Sequence, residues 1–257
     1  MNPREYEIMF AREEAYWWYR GMRRITRAFA PDLFSLAVGS WVLDAGCGTG
    51  RNLVELAGGE GRAVGVDVSL RALGFARSRG RAGLVCGSVE ALPFRSRAFA
   101  GVLCRDVLYM VPDEGRAARE IARALAPGGS LVLSSPAFAA LSGAHDRAVG
   151  GLRRHTAPGL AALLHEAGLR VARTTYANFF LAGPIWLLRK VTSALSRRRP
   201  SEDVSSDFGL APALFEEILF SFLSLEARIV ARARLPFGTT VFVAAAKPAQ
   251  GTSVAGK

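Results

Sequence analysis

Short apolar runs alternate with amphipathic stretches through the middle of the chain, from residue 41 to residue 135. The apolar runs predict strands, and the amphipathic stretches between them predict helices. Strands are expected at 41–44, 62–67, 83–87, 99–104 and 130–134, and helices at 51–57, near 69–79 and at 113–125. Continuous apolar strands that alternate with helices are typical of a parallel sheet covered by helices on both faces.

The pattern changes on both sides of this region. Residues 4–36 predict a helical segment, and a helix at 157–167 is followed by strands at 169–176 and 239–246. The connection between those two strands holds about 60 residues, which is long for such a link, with apolar halves at 179–199 and 214–230. We therefore expect an N-terminal helical cap at 1–40, an α/β domain at 41–247 with a helical insert at about 178–236, and a disordered tail at 248–257.

A glycine-rich turn joins the first predicted strand to the first helix of the alternating region. The strand ends at Asp44, and glycines follow at Gly46, Gly48 and Gly50. Glycine allows backbone conformations closed to other residues and lets a ligand lie against the main chain. The helix that begins at Arg51 directs free N–H groups at such a ligand. These features favour a ligand-binding turn over a plain connection.

The spacing of the glycines argues against a dinucleotide as the ligand. A G-x-G-x-x-G motif would place a glycine at position 51, where the chain has Arg51. Asp44 would also repel a pyrophosphate, whereas it suits an ammonium group. Asp67 ends the second strand, where an acidic residue accepts hydrogen bonds from ribose hydroxyls. A nucleoside that carries an ammonium group fits both carboxylates.

Composition and charge exclude some classes of protein. Half of the residues are apolar, so the chain can build a full core and is not globally disordered. The net charge is +11, and 30 of the 33 basic residues are Arg. This charge fits a solvated surface, an anionic membrane surface or a nucleic-acid partner. The N-terminus lacks the apolar run of a signal peptide, and no apolar stretch is long enough to predict a membrane-spanning helix.

Three cysteines, Cys47, Cys86 and Cys104, lie far apart in the sequence. An odd number at this spacing matches neither a disulfide framework nor a zinc site. Each lies in or beside an apolar run, so we expect three buried, reduced thiols. That expectation favours a cytoplasmic protein without a metal site.

The motifs resemble those of the class I S-adenosylmethionine (SAM) dependent methyltransferases, in the branch of the ubiquinone/menaquinone biosynthesis enzymes. The similar stretches are Val42–Gly50, Gly65–Ser69, Gly87–Phe94, Phe99–Tyr109 and Leu125–Leu131. The resemblance covers about residues 41–176 and the final strand. It implies a Rossmann-like, seven-stranded, mostly parallel sheet whose last strand is antiparallel. The chain departs from the pattern at Ser88 and Ala100, where the family has Asp.

The resemblance implies SAM as the cofactor and assigns residues to its parts. The glycine turn would hold the methionine part, with Asp44 facing its ammonium group. Asp67 would bind the ribose hydroxyls, and Val68 would pack on the adenine. Ser88 and Val89 would border the adenine edge, and Cys104 and Arg105 would lie under the sulfonium and carboxylate. The predicted set is Asp44, Gly46, Cys47, Gly48, Gly50, Asp67, Val68, Ser88, Val89, Cys104, Arg105, Tyr19 and Arg20.

Four adjacent aromatic residues, Tyr16 to Tyr19, stand near the N-terminus. They cannot all face one core, so they either wrap a corner of the fold or line a pocket. The segment from Glu13 to Arg23 resembles one that caps the cofactor in bacterial members of the family. The resemblance implies that Tyr19 or Trp18 covers the cofactor and that Arg20 or Arg24 pairs with its carboxylate.

A second segment, after the fifth strand, is similar to the family's acceptor region. There His145 is the candidate general base, with Asp146 orienting it. Arg153 and Arg154 would bind an anionic group of the substrate, and His155 stands where the family has a tyrosine. We count Arg153, Arg154 and His155 as candidate substrate-binding residues. The alternatives are a helix cap for the His-Asp pair and solvated charges for the arginines.

These observations predict a SAM-dependent methyltransferase that acts by in-line displacement on a small, apolar or lipid-linked acceptor. The insert serves as a hydrophobic lid, as a contact with an anionic membrane or as part of the core. A non-catalytic SAM-binding protein, an RNA methyltransferase and a nucleotide-dependent oxidoreductase stay open as alternatives. We expect no nucleic-acid partner, because no RNA-binding module is recognisable. The oligomeric state cannot be predicted, and the expected location is cytoplasmic, with or without membrane association.

Overall fold

The structure is a computed structural model that describes residues 3–58, 62–80, 83–143, 146, 149–183 and 213–249. A seven-stranded sheet runs through it, in the order β3-β2-β1-β4-β5-β7-β6. Strands β1 to β5 are mutually parallel, and β7 is antiparallel to both β5 and β6. The strands are β1 Trp41–Ala45, β2 Arg62–Asp67, β3 Gly83–Cys86, β4 Phe99–Arg105, β5 Leu125–Pro136, β6 Arg170–Ala177 and β7 Thr240–Ala246. The predicted fold class is confirmed, including its antiparallel last strand.

Helices cover both faces of this sheet. They are α1 Pro3–Arg12, α2 Trp17–Phe29, α3 Arg51–Ala57, α4 Leu70–Ser78, α5 Glu114–Ala124, α6 Ala157–Glu166 and α7 Ala213–Val230. Alternate residues of β7 divide the core into two apolar clusters, since neighbouring side chains of a strand point to opposite faces. Val241 and Val243 pack with Ile121 of α5 and Leu160 of α6. Phe242 packs in the other cluster, with residues of α2, α3 and α7.

Side-chain caps explain where three of the helices begin. Ser69, Asp113 and Thr156 each accept a hydrogen bond from the backbone N–H three residues later, at 3.2, 2.8 and 3.3 Å. Such caps satisfy one of the N–H groups that the first turn of a helix leaves without a partner. The caps lie at or next to the predicted helix starts.

Two elements differ from the sequence-based prediction. The expected helical segment at 4–36 is divided into α1, α2 and a 3-10 turn at Pro31–Phe34. Strand β5 begins at Leu125 rather than at residue 130. Its first residues form a bulge, because Leu125 pairs with Phe99 while Ser130 already pairs with Gly101. The Pro-Gly-Gly segment inside this bulge therefore stays within the sheet instead of ending it.

The insert before β7 is described only in part. Helix α7 packs against α2, where Gly21 lets the two helices approach so closely that an added Cβ would lie 2.2 Å from Leu223. This half of the insert therefore contributes to the core. Residues 184–212, with the predicted basic cluster and polar loop, and most of the predicted tail lie outside the described residues. In the part of the chain that is described, no helix is both long and apolar enough to cross a membrane.

The cysteines depart from the prediction at one position. Cys47 and Cys104 are buried, whereas Cys86 is exposed, and all three are free thiols. Cys86 lies at the end of β3, an outer strand of the sheet whose partner on one side is β2. The expectation that all three thiols are buried was therefore wrong for Cys86.

Candidate functional site

The turn between β1 and α3 requires glycine at two positions. Gly46 and Gly50 have φ angles of +83° and +82°, in the left-handed region that side chains disfavour. An added Cβ would lie 2.2 Å from Cγ2 of Val107 at Gly46, and 2.7 Å from Cβ of Ala76 at Gly50. Neither contact is tolerable, so both positions exclude any larger residue. The turn therefore packs directly against Val107, which follows β4, and against Ala76 of α4.

A cavity of about 660 Å³ opens beside this turn, at the carboxyl ends of the parallel strands. The turn, the loops after β2, β3 and β4, and the two N-terminal helices all line it. The lining brings together nine residues of the predicted cofactor set: Tyr19, Gly46, Cys47, Gly48, Asp67, Val68, Ser88, Val89 and Arg105. This position, beyond the ends of the strands, is where the predicted sheet topology places a ligand.

Asp67, at the end of β2, connects the glycine turn to the next loop. Its Oδ2 accepts a hydrogen bond from the backbone N–H of Gly48, and its Oδ1 accepts one from the N–H of Ser69, both at 2.9 Å. Each carboxylate oxygen has a further lone pair. Asp67 can therefore accept bonds from a diol in the cavity while it keeps the turn in place.

Asp44 lies in β1, just before the glycine turn, and its environment differs from that of Asp67. It is fully buried, and neither of its carboxylate oxygens accepts a hydrogen bond within 3.5 Å among the described residues, although the side chain of Asn52 is near enough to lower its pKa. Burial raises the pKa of Asp44 to about 7, with the charge of Arg105 lowering it and that of Asp67 raising it. A buried carboxylate without a donor is costly, and an ammonium group supplied by a ligand would remove that cost. The residues present therefore fit the amino group of SAM.

Aromatic residues of the N-terminal segment also contribute to the wall of the cavity. Tyr16, Trp17, Trp18 and Tyr19 all line it, at the start of α2. Trp17 and Trp18 meet edge to face, with ring centroids 5.7 Å apart. Burial raises the pKa of Tyr19 above its usual range, so its phenol stays neutral and can donate a hydrogen bond. Of the two alternatives for these residues, the structure favours the pocket.

Arg20 and Arg24 do not line this cavity with the aromatic residues. The guanidinium of Arg20 pairs with Glu217 and lies 3.9 Å from the ring centre of Phe220, on α7. Arg24 donates to Ser224, also on α7. Arg23 lines the cavity instead. Since residues three to four positions apart share a face of a helix, the face that carries Tyr16 and Tyr19 also carries Arg23. Helical spacing could have identified Arg23 from the sequence.

Three further members of the predicted cofactor set, Asp44, Gly50 and Cys104, are not among the residues that line the cavity. Cys104 is fully buried within the sheet, and Gly50 packs against Ala76 of α4. Cys104 and Gly50 therefore contribute to the packing around the site. Alternate residues of β4 face opposite sides, and Arg105, the neighbour of Cys104, is the one that lines the cavity, so direct contact of Cys104 and Gly50 with the cofactor stays a prediction.

The acceptor side of the cavity contains a buried ion pair. Nη2 of Arg154 donates to both carboxylate oxygens of Asp146, at 2.8 and 3.0 Å, and Nη1 donates to the carbonyl of Ala137 at 2.9 Å. Asp146 also accepts a bond from the N–H of Gly143. Arg154 lines the cavity, but Asp146 neutralises its charge, so it is not the anion site that we expected. The predicted base, His145, lies outside the described residues, and its role stays a prediction.

Arg153 and His155 do not line the cavity either. Arg153 donates to the backbone carbonyls of Leu108, Val111 and Pro112, so it shapes the loop after β4. His155 lies between Oγ of Ser135, 2.7 Å from Nδ1, and Oε2 of Glu114, 2.6 Å from Nε2. These contacts join the segment after β5 to α5. That both residues contact the substrate therefore stays a prediction, which these contacts do not support.

Several lining residues were missed by the sequence analysis. They follow β3 or β4 or belong to the N-terminal helices: Tyr6, Met9, Glu90, Asp106, Val107, Tyr109 and Met110. Asp106 directly follows β4 and has a φ of +54°, which is unusual for a residue other than glycine. The rule that ligands bind beyond the carboxyl ends of parallel strands would have drawn attention to it. No local pattern indicated Tyr6 or Met9, since they reach the cavity only through the packing of α1.

Comparisons with known proteins agree with this arrangement. The sequence model of the methyltransferase domain family matches residues 43–133. The 2-phytyl-1,4-naphtoquinone methyltransferase of Thermosynechococcus vestitus is 34% identical over 120 residues, which are 44% of this chain and 53% of that protein. The ubiquinone/menaquinone biosynthesis C-methyltransferase of Edwardsiella ictaluri is 31% identical over 139 residues, 49% of this chain and 55% of that protein. The chain thus spans about half the length of these curated relatives.

A solved structure extends the likeness to nearly the whole fold. A chain of the complex between the Haloferax volcanii Trm112 methyltransferase activator and a methyltransferase aligns with 95% of this chain and 98% of its own length. The TM-score is 0.61 and the sequence identity 18%, so this match supports the fold alone. The domain match and the two sequence relatives bear out the resemblance to the SAM-dependent methyltransferases of the ubiquinone/menaquinone type over about half of the chain.

Proposed function

Since residues 43–133 match the methyltransferase domain family, we propose that the protein transfers the methyl group of SAM to a small, apolar acceptor. One observation carries the proposal: a fully buried carboxylate without a described partner, Asp44, lies behind a glycine turn that lines a large cavity. Asp67, at the opposite side of the turn, is placed to accept bonds from a diol. Together the two carboxylates match the amino and ribose ends of SAM.

The residues of the chain bind and orient the reactants in this proposal. When bound, SAM supplies a methyl group attached to a positively charged sulfur. Asp44 and Asp67 hold the amino and ribose ends, while Tyr16 and Trp17 enclose the cavity and exclude water. Alignment and exclusion of water are the main requirements of an in-line displacement. The sulfur would leave with the electron pair of the broken bond as S-adenosylhomocysteine, and the proton that the acceptor loses would pass to a base or to water.

The acceptor half of the cavity supports an apolar, uncharged substrate. It is lined by Met110, Val111, Pro112, Pro136 and Val149, together with the neutralised pair of Arg154 and Asp146. A site with this lining would bind an uncharged ring with little desolvation cost and would penalise a phosphate or carboxylate. The names of the two sequence relatives, which act on quinone-related compounds, agree with this class.

We further propose that the acceptor carries a lipid tail and is taken from a membrane surface. Support comes from α7, where Phe215, Ile218, Phe222 and Leu225 are exposed on one stripe of the helix. Exposed apolar stripes of this kind mark interaction sites, and the net charge of +11 favours an anionic bilayer. Flotation with anionic vesicles tests this: Ile218→Asp should reduce binding, whereas the control Ser221→Asp on the same helix should reduce it less. Equal flotation of both variants would contradict the membrane contact.

Methyl transfer can be measured directly with SAM that carries a labelled methyl group. The acceptors should be a reduced naphthoquinone without a tail, one with an isoprenoid tail, and bulk tRNA. We expect label in the naphthoquinols, more rapidly in the tailed one, and none in tRNA. Labelling of tRNA alone would favour the RNA methyltransferase alternative, and SAM binding without transfer to any acceptor would favour a non-catalytic SAM-binding protein.

A further inference from the structure

The corner between α1 and α2 is tied to the glycine turn through a buried carboxylate. Glu13 follows the last residue of α1 and is only 4% exposed. Its Oε1 accepts a hydrogen bond from Oγ1 of Thr49 at 2.5 Å and pairs with Nη2 of Arg79 at 2.6 Å. Thr49 lies between the two last glycines of the turn and is 1% exposed. A carboxylate of the cap therefore contacts the cofactor loop itself.

Arg79 closes this contact into a ring of three residues. It caps the end of α4, and its Nε donates to the backbone carbonyl of Thr49 at 3.0 Å. Glu13, Thr49 and Arg79 are thus bonded to one another, although they belong to three separate elements. Glu14 adds a more exposed layer, with bonds to Arg51 at 2.8 Å and to Arg79 at 2.7 Å.

The burial of Glu13 indicates a role beyond fold stability. Burial raises the pKa of the Glu13 carboxyl, while Thr49 and Arg79 lower it. Buried ion pairs contribute little net stability compared with apolar packing, but they fix one arrangement, because the alternatives leave a charge without a partner. Both Glu13 and Thr49 also line the cavity. The ring therefore fixes the cap at the point where the cofactor loop and the cavity meet.

The residues that follow Glu13 show what this arrangement positions. Tyr16, Trp17, Trp18 and Tyr19 line the same cavity as the glycine turn. A ligand that fills this cavity would contact both the turn and these rings. Movement of the cap away from the turn would open the cavity, and it would break the bonds of Glu13 to Thr49 and Arg79.

We propose that Glu13 is a positioning residue that latches the N-terminal cap onto the cofactor loop and thereby slows the release of SAM. The proposal rests on the proposed function, because it assumes that SAM is the ligand of the turn. Glu13 acts through Thr49 and Arg79 and takes no part in methyl transfer. Loss of the latch should raise the dissociation rate of SAM much more than it lowers the association rate.

The test compares Glu13→Gln with the control Glu7→Gln, which changes another glutamate of the same N-terminal segment, on α1. Glu7 pairs with Arg71 and also joins α1 to α4, but both side chains are about half exposed and lie away from the cavity. Calorimetry gives the Kd for SAM, and displacement of SAM followed by tryptophan fluorescence gives its release rate. Hydrogen exchange of residues 3–29 without SAM reports the opening of the cap.

We expect Glu13→Gln to release SAM at least about tenfold faster, in line with the loss of a buried, charge-assisted bond. Hydrogen exchange of the backbone amides in residues 3–29 should also become faster, while hydrogen exchange in β1 and β4 stays unchanged. Glu7→Gln should stay within about twofold of the original protein on both measurements, as exposed ion pairs do. Thr49→Val, which keeps the side-chain volume and removes only the hydroxyl, should shift the release rate in the same direction as Glu13→Gln.

Two results would overturn the latch. One is an unchanged release rate in both Glu13→Gln and Thr49→Val. The other is faster exchange of the cap without faster release, which would leave Glu13 a purely structural residue. If the original protein does not bind SAM at all, the proposed function fails, and the role of Glu13 in SAM release fails with it. The exchange comparison then still decides whether Glu13 fixes the cap.

Discussion

Replacing Asp44 with Asn separates the cost of burying its charge from the benefit of that charge in binding. The pKa of Asp44 is raised from 3.8 to about 7 by burial. Each unit of pKa corresponds to about 1.4 kcal/mol, so the buried charge costs the folded protein about 4 kcal/mol above pH 7. Asn has nearly the same shape and no charge. We therefore expect the Asp44→Asn protein to escape this cost and to lose affinity for SAM.

The sign of the pH dependence follows from the two pKa values. Near pH 3.8 and below, the carboxyl is protonated in both states, and the penalty is absent. As the pH rises from about 4 to about 7, the unfolded chain gives up the proton that the folded protein keeps, so the folded protein loses stability. The difference in unfolding free energy between Asp44→Asn and the original protein should therefore grow by about 4 kcal/mol from pH 4 to pH 8.

Urea denaturation followed by tryptophan fluorescence measures this difference at each pH. The other titrating groups are common to both proteins and cancel in the comparison. SAM binding should weaken at least about tenfold in Asp44→Asn, since the charged partner of the amino group is gone. In the original protein, affinity for SAM should fall as the pH drops below 7. A stability difference that stays flat between pH 4 and pH 8, or that shrinks, would refute the account of Asp44.

Three further substitutions test separate parts of the site. Arg154→Ala leaves the carboxylate of Asp146 buried without its partner and should lower the unfolding free energy by about 3–5 kcal/mol in urea denaturation; a loss below about 1 kcal/mol would contradict a buried pair. Gly46→Ala places a methyl group against Val107 at a positive φ, so SAM binding measured by calorimetry should be lost while β1 stays paired; retained affinity would show that the turn has room. Arg20→Ala should leave the Kd for SAM within about twofold, because Arg20 contacts α7, and a large loss would restore it to the cofactor site.

Sequence patterns predicted correctly those elements that depend mainly on residues close together in the chain. The apolar runs placed all seven strands, and the glycine spacing with Asp44 and Asp67 predicted the cofactor turn, because strand burial and tight turns depend on neighbouring residues. The bulge at the start of β5 could not be predicted in this way. The segment from Pro127 to Gly129 remains in the sheet because Lys247, far along the chain, exchanges backbone bonds with it.

The acceptor side was predicted less well, for the same physical reason. Arg153 and Arg154 are adjacent in sequence, yet one orders the loop after β4 and the other pairs with Asp146. Their partners come from segments that only the tertiary fold brings near. A sequence motif can therefore contain arginines that are suited to binding a substrate anion, although in the folded protein these arginines bind other groups of the same chain.

Calorimetry with SAM and with NADH tests the central claim most directly. We predict that the protein binds one SAM per chain and does not bind NADH. Asp67→Ala should weaken SAM binding by about 1–3 kcal/mol, which is the scale of a lost charge-assisted hydrogen bond. Binding of NADH without SAM, or an affinity for SAM that is unchanged in Asp67→Ala, would contradict the assignment of the glycine turn as a SAM site.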